Sequence, residues 1–576
     1  MTPRISSPNS RAKSRCRGMI GWTFVLAAVL LGYLAHSAET ESLQIRLNTI
    51  GYLPNAIKQA TIAASATNFI VIEHSKQMPA YSGRLTGPVL DPDTQEQLYT
   101  ADFSSLTRPG DYELEVPGVG HSVMFRIGAD IYRTPCYAVM RGFYLWRCGT
   151  AVSARYRGIL FAHDVCHTND AWLDYVGGGH TNKDGTKGWH DAGDYNKYTV
   201  NAGVAVGTLF RAWEDFGPQL RNFRLDLPES GGPVPDYLAE IKWELDWLLT
   251  MQAPDGSVYH KLTTLSFGGF NSPDQETADR YFTPWGSEAT ADFVAVTAQA
   301  ARIFQPYDPA FADRCLLAAR LSYQFLQAHP EYHQANQTGF HTGSYEINQP
   351  NHRQGGNPQN RLWAAAELWE TTGSPEALID LETRIKAVNG QVDADFDWDE
   401  TKDLGLITFL FSQRAGRDPA LMKLIHDHLL STADTIVQTA NGDGYNRPLG
   451  SRYFWGDNGA VARQTVLLMA ANRLSPGKHE YRATCLDALN HLLGRNCYGR
   501  SFVTQIGSYP PLHPHDRRGT GIYADHPWPG YLVGGPHPKA TDWHDEQGDF
   551  RTNEIAINWN AALVYALAAC LSDSLD

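Results

Sequence analysis

The pattern of apolar and polar positions divides the chain in two. From about Leu43 to Ile127, apolar and polar residues alternate in short runs such as "LQIRLNTIGYLPN", "FIVIEH", "DYELEVPG" and "SVMFRI", separated by Pro, Gly and Asn clusters. A period of two bounded by turn residues predicts strands that each bury one face, and this spacing predicts a small all-β sandwich over residues 43–128. After Tyr132 the period lengthens. In "DYLAEIKWELDWLLTMQ", Leu238, Ile241, Leu245 and Leu248 recur at steps of three and four, which gathers them on one helical face. The same spacing predicts twelve helices, at about 132–149, 195–216, 236–252, 288–305, 309–328, 361–373, 375–388, 403–412, 418–440, 459–474, 479–495 and 554–573. Six helical hairpins closed in a ring give an all-α (α/α)6 barrel over residues 132–574. In such a ring the N-termini of the even-numbered helices share one end. The loops feeding the second and twelfth helices, Thr150 to Asp194 and Asn496 to Asn553, are the longest, so function is expected at that end.

Composition narrows the partners. A length of 576 residues suits one large barrel with a small companion, and 15 Trp, 23 Phe and 27 Tyr are enough to line a groove as well as a core. The formal net charge of −14, without a basic stripe, argues against nucleic acid and for an uncharged partner. Arg11, Lys13, Arg15 and Arg17, the apolar run from Met19 to Leu34, and the small residues Ala35, Ser37 and Ala38 read as an export signal over residues 1–38. An uncleaved anchor is the alternative, disfavoured by the shortness of the apolar run. The mature protein is then secreted, periplasmic or extracellular, with no membrane span; a monomer is expected.

Two carboxylate groupings carry the candidate chemistry. "GWHDAGDYNKYTV" sets Asp191 and Asp194 three apart before the second helix, where two carboxylates can hold one water and the helix dipole favours their ionised forms. An N-cap Asp followed by an ordinary surface acid is the plainer alternative. In "DEQGDFRTNEIAINWNAALVYALAA", Glu554 opens the last helix, and the ring topology returns it to the same end. Glycosidic cleavage needs such a pair: one protonated carboxyl for the leaving oxygen and one carboxylate acting across the sugar ring.

A third grouping has metal-ligand character. Cys148 ends the first helix, Cys166 and His167 are adjacent in the following loop, and His190 precedes Asp191. Two thiolates and two imidazoles satisfy a tetrahedral zinc ion, leaving no position for an activated water, so the expected role is structural. A Cys148–Cys166 disulfide is the alternative, but it leaves His167 and His190 unexplained. No organic cofactor is expected.

From Ile45 to Leu571 the chain resembles glycoside hydrolase family 9, the cellulase family built on an (α/α)6 barrel, here behind an immunoglobulin-like N-terminal domain. "DAGDYNKY" resembles the family's base motif, which implies Asp194 as general base with Asp191 positioning the water. "NEIAINWNA" resembles the acid motif, which implies Glu554 as general acid, with Asp545 and Asp549 matching acidic positions before it. "LLGRNCYGRSFVTQIGSYPPLHPHDR" resembles the histidine segment, which implies that His515 and Arg517 bind sugar beside the scissile bond. Tyr509 and Asp516 depart from the pattern, and an extra acid at Asp516 bears on chain-end selectivity or an amino sugar. The resemblance also implies a structural zinc on the Cys and His cluster. Relatives place an Asp–Glu pair on calcium where this chain has Gln359 and Asn360, so calcium is not counted on.

Trp189, Trp285, Trp398, Phe454 and Trp455 are candidates for sugar stacking or for core packing, Trp455 being the one assigned to substrate. The function that follows is a secreted, inverting endo-β-1,4-glucanase acting on cellulose or a related β-glucan. The alternatives are an exo-acting cellodextrinase or glucosaminidase on soluble oligosaccharides, a non-catalytic carbohydrate-binding protein, and a catalytic metallohydrolase.

Overall fold

Ten short strands lie between residues 45 and 127: β1 (Ile45–Arg46), β2 (Gly51–Tyr52), β3 (Gln59–Ile62), β4 (Asn68–Glu73), β5 (Met78–Arg84), β6 (Thr86–Leu90), β7 (Gln97–Asp102), β8 (Gly110–Val116), β9 (Gly120–His121) and β10 (Phe125–Ile127). One sheet has the order β1-β3-β7-β6. The other runs β2-β10-β8-β4-β5, with β9 pairing to β8. Strand β8 shows the cause: Tyr112, Leu114 and Val116 are buried while Glu113 and Glu115 face outward, as period two requires. With Ile62, Phe69, Val71, Phe125 and Ile127 they form a core separate from that of the rest of the chain.

The computed structural model describes residues 42–168, 171–346 and 356–571. The export signal expected over residues 1–38 lies outside them. Among the described residues no helix is long and apolar enough to cross a membrane.

Twelve helices of ten or more residues follow among the described residues: α1 (Arg133–Leu145), α2 (Thr199–Leu220), α3 (Asp236–Thr250), α4 (Ser287–Phe304), α5 (Pro309–Ala328), α6 (Gly356–Thr372), α7 (Pro375–Ala387), α8 (Lys402–Phe411), α9 (Pro419–Gly442), α10 (Asp457–Leu474), α11 (Glu480–Leu492) and α12 (Ile557–Ala568). Helices α5, α7 and α9 are one-sided. In α9 the buried set Leu421, Ile425, Leu429, Ala433, Ile436, Val437 and Ala440 is a single stripe. Even helices are buried nearly all round, α12 at every residue. Gly203 and Gly207 let α2 approach its neighbours: a Cβ would stand 2.7 Å from Asp292 Cβ on α4 and 2.4 Å from the Trp363 ring on α6.

Helices α12, α2, α4, α6 and α8 are consecutive neighbours, α10 packs on α12, and α3, α5, α7, α9 and α11 lie against their even partners. Long connections lead into even helices. Those at 146–198, 251–286 and 493–556 carry a hairpin, β11 (Val152–Tyr156) with β12 (Ile159–His163), and a small sheet of β13 (Trp172–Leu173), β14 (Gly179–Asn182), β15 (Lys197–Tyr198), β16 (Lys261–Thr263) and β17 (Tyr281–Phe282). The sandwich is tied to the helical part by Asn48 Nδ2 donating to Asn490 Oδ1 at 3.0 Å and Thr49 Oγ1 donating to the Leu493 carbonyl at 2.7 Å.

Candidate active site

The loop before α2 is fixed from below by α3. The Trp189 amide donates to Glu244 and its indole Nε1 to Glu240 Oε1 at 2.9 Å, so Trp189 is fully buried core rather than a sugar platform. Two residues on, Asp191 Oδ1 accepts from Asn201 Nδ2 at 2.8 Å and Oδ2 from the Tyr345 hydroxyl at 2.6 Å. Asp194 Oδ2 accepts from Asn196 Nδ2 at 2.6 Å and the Tyr198 hydroxyl at 3.1 Å. Among the described residues every side-chain bond to Asp194 falls on that one oxygen. Tyr345 and Tyr198 are functional candidates that sequence reasoning missed. Tyr198 stands in the motif four residues beyond Asp194, whereas Tyr345 lies in a loop without periodicity.

Glu554 does not open the last helix as expected. Its backbone is extended (φ −71°, ψ 157°), between a single turn at Phe550–Asn553 and α12, and it bridges to His515. Backbone hydrogen bonds lace the three segments together: Ile557 N to Asp191 O at 2.9 Å, Arg517 N to Gly193 O at 2.9 Å, and His515 N to Asn553 O at 2.8 Å. Asp191, Asp194 and Glu554 thereby share the wall of one cleft of about 280 Å³, with Tyr345, Trp398 and Trp455.

Burial sets the protonation. It pushes the Asp191 carboxyl up to about 8, and the Asp194 charge pushes the same way against the hydrogen bonds from Tyr345 and Asn201. The expected ionisation of both carboxylates by the helix dipole is therefore corrected for Asp191: residues 195–198 precede the first turn of α2, and desolvation dominates. Burial also holds Glu554 well above the usual carboxylate range. The charges of Asp194 and Asp191 add to this, offset in part by Arg517 and the Gly193 amide.

His515 Nδ1 is bonded to the Gln547 carbonyl at 2.7 Å, and Arg517 Nε donates to the Gly268 carbonyl at 3.2 Å, so both flank the cleft. Asp545 accepts the amides of Leu512 (2.8 Å) and His513 (2.9 Å) and pairs with Arg500, clamping the loop. Asp549 accepts from Thr552 Oγ1 at 2.9 Å in the turn before Glu554. The acid at Asp516 is buried and paired with Arg518 Nη2 at 2.7 Å. Trp398 and Trp455 line the cleft, whereas Trp285 stacks on His333 at 3.9 Å. Gln359 and Asn360 offer a calcium ion no carboxylate, and Asn360 Nδ2 donates to Asp292 Oδ1 at 2.7 Å inside the helical core.

Cys148, Cys166, His167 and His190 converge, their ligand atoms all within 4.8 Å of one another. Cys148 Sγ is 3.7 Å from His167 Nδ1, Cys166 Sγ is 3.8 Å from His190 Nε2, and the two nitrogens are 3.4 Å apart. Metal bonds of about 2.3 Å to sulfur and 2.0–2.1 Å to nitrogen give tetrahedron edges of roughly 3.3–3.8 Å, so the donor set fits such an ion. Both cysteines are free thiols, against the disulfide alternative. Glu276 Oε2 lies 3.3 Å from His167 Nε2, where it orients that ring.

Residues 40–121 match the cellulase N-terminal ig-like domain and residues 132–567 match glycosyl hydrolase family 9. The chain is 53% identical to endoglucanase D of Acetivibrio thermocellus over 91% of its own length and 83% of the relative's. It is 34% identical to a xyloglucan-specific endo-β-1,4-glucanase of Bacteroides ovatus, over 92% and 93%. Among solved structures, a metagenome-derived family 9 endoglucanase superposes with a TM-score of 0.86 at 34% identity, covering 92% of this chain and 99% of that one. The chain belongs to glycosyl hydrolase family 9.

Proposed function

We propose that the protein is an inverting endo-β-1,4-glucanase, secreted and monomeric, acting from an (α/α)6 barrel over residues 132–574 behind an immunoglobulin-like sandwich over residues 43–128. The observation that carries this reading is the meeting of Asp191, Asp194 and Glu554, from segments about 360 residues apart, on one cleft with exposed aromatic walls. The kinship with enzymes named endoglucanase D and xyloglucan-specific endo-β-1,4-glucanase supports the substrate class. The neighbour order of the even helices, with odd helices outside, supports the barrel.

In this mechanism Glu554, kept protonated by burial and by two nearby carboxyl groups, protonates the departing glycosidic oxygen. Asp194 holds the attacking water with Asp191 and takes its proton as the water enters from the opposite face of the ring, inverting the anomeric carbon. Tyr198 and Asn196 hold one Asp194 oxygen, which leaves the other to meet the water. His515 and Arg517 bind the sugar beside the scissile bond. Cys148, Cys166, His167 and His190 would hold a zinc ion that staples the loop carrying Asp191 and Asp194 and supplies no reactant.

The test compares wild type with Asp194→Asn and Glu554→Gln on carboxymethylcellulose and mixed-linkage glucan. Each variant is expected to lose about 10³-fold in kcat. For wild type, viscosity should fall ahead of reducing-end release, with the α-anomer formed first by NMR. Equal rates for the three proteins, or β-product first, would refute the mechanism.

A further inference from the structure

Six aromatic side chains stand exposed among the described residues, and four gather here: Phe267 (47%), Phe270 (42%), Trp455 (51%) and Phe550 (46%). They form a run along the rim of the cleft. Trp455 meets Phe550 edge-on at 5.6 Å between centroids, Phe550 meets His515 at 6.0 Å, and His515 meets Phe270 at 5.3 Å. The Arg517 guanidinium lies 5.1 Å from the Phe267 ring. Trp455 and Phe267 belong to the cleft wall; Phe270 and Phe550 lie outside it, both against His515.

The rings are held in place by the same segments that carry the acids. The Thr264 amide donates to Asn196 Oδ1 at 3.0 Å, Arg517 Nε to the Gly268 carbonyl, and the Tyr195 hydroxyl to the Asn271 carbonyl, which ties the strip 265–271 to the Asp194 loop. Phe550 begins the turn whose last residue, Asn553, accepts the His515 amide. Leaving four rings in water costs hydration free energy, and a continuous aromatic rim leading out of a cleft marks a ligand surface. Arg517 gives only its Nε–H to the Gly268 carbonyl and lies against Phe267, which leaves its Nη groups for sugar hydroxyls. What suits the run is an uncharged chain with apolar ring faces and hydroxyl edges. A β-linked glucan leaving the cleft has that chemistry.

We propose that Phe270 and Phe550 are specificity-determining residues that bind sugar units beyond the cleft on the His515 side, so that the enzyme favours long chains. This rests on the glucanase reading above. The experiment measures kcat/KM on cellotriose and cellohexaose for wild type, Phe270→Ala, Phe550→Ala and Phe550→Tyr. Each alanine variant is expected to lose about tenfold on cellohexaose, about 1.4 kcal/mol, mostly through KM, with cellotriose unchanged and Phe550→Tyr close to wild type. Equal losses on both substrates would show a purely structural role, and unchanged cellohexaose kinetics would show no contact; either overturns the proposal while the glucanase reading stands. A wild type inactive on both sugars would overturn that reading and this one together.

Discussion

Gly193 lies so close to His515 that a Cβ on the glycine would stand 2.2 Å from the His515 carbonyl oxygen. The contact sits where the base loop, the histidine segment and the acid strand meet, since the Gly193 carbonyl accepts from Arg517 N and its amide faces Glu554. Gly193→Ala must push His515 backbone away, and with it the register of Asn553 and Glu554. The expected cost is about 2 kcal/mol of stability, and about 10²-fold in kcat because the acids are misplaced. Thermal melting and steady-state kinetics read the two separately, and an alanine variant matching wild type in both would show that the segments are not coupled here.

Arg517 tests the electrostatics of the acid. Its cation offsets the burial and like charges that raise Glu554, so removing it should raise the Glu554 pKa further. A general acid works while protonated, and activity falls as pH rises through its pKa. In Arg517→Gln the alkaline limb of kcat/KM should therefore move to higher pH, even as KM rises from the lost sugar contact. A limb moving to lower pH would remove Glu554 from the acid role or Arg517 from its neighbourhood.

The thiolate and imidazole cluster makes a stability prediction distinct from catalysis. Purified protein should contain zinc at one equivalent, and stripping it with a strong chelator should lower the melting temperature by about 5 °C or more. Cys148→Ser should do the same without added chelator. Activity should follow the folded fraction of the loop instead of vanishing while the fold persists. Full melting stability after complete metal removal would argue against the staple.

Much of the fold is legible because several helices announce their own starts. Asp308, Ser374 and Asp418 each precede a proline, and each side chain accepts a backbone N–H of the first turn, so α5, α7 and α9 begin where the sequence places them. The start of α12 is less visible. Ile555 and Ile557 suit a helical stripe, but Ile555 bridges to Val533 and Glu554 to His515, and a short extended segment cannot be told from a first turn by spacing alone. For the same reason β15, whose partner β16 lies some sixty residues away, is read as helix from residue 195. At the site, the acids and the metal ligands are legible as motifs. The roles of Tyr345 and Asp545 are not, because each depends on a partner supplied by the tertiary fold: Asp191 in one case and the amides of 512–513 in the other.

Asp191 links catalysis to stability. Its folded carboxyl titrates at about 8 against an ordinary value of 3.8, so the folded state keeps a proton that the unfolded chain releases. The sign follows from proton binding: stability attributable to this group is fully present below about pH 4 and declines as pH rises toward 8, where the buried site must ionise beside Asp194. Asparagine keeps an acceptor for Asn201 and can donate to the Tyr345 oxygen, yet never ionises. Asp191→Asn should therefore match wild type in stability near pH 4 and exceed it at pH 9 by on the order of 2–4 kcal/mol, the upper end being limited by coupling to Asp194. The same variant should lose activity on glucan by about 10²-fold or more at every pH, because one of the two carboxyl groups that hold the water is then gone. Melting curves across pH, run beside turnover, decide the matter. A variant less stable than wild type at pH 9 would mean that Asp191 is ionised in the resting fold.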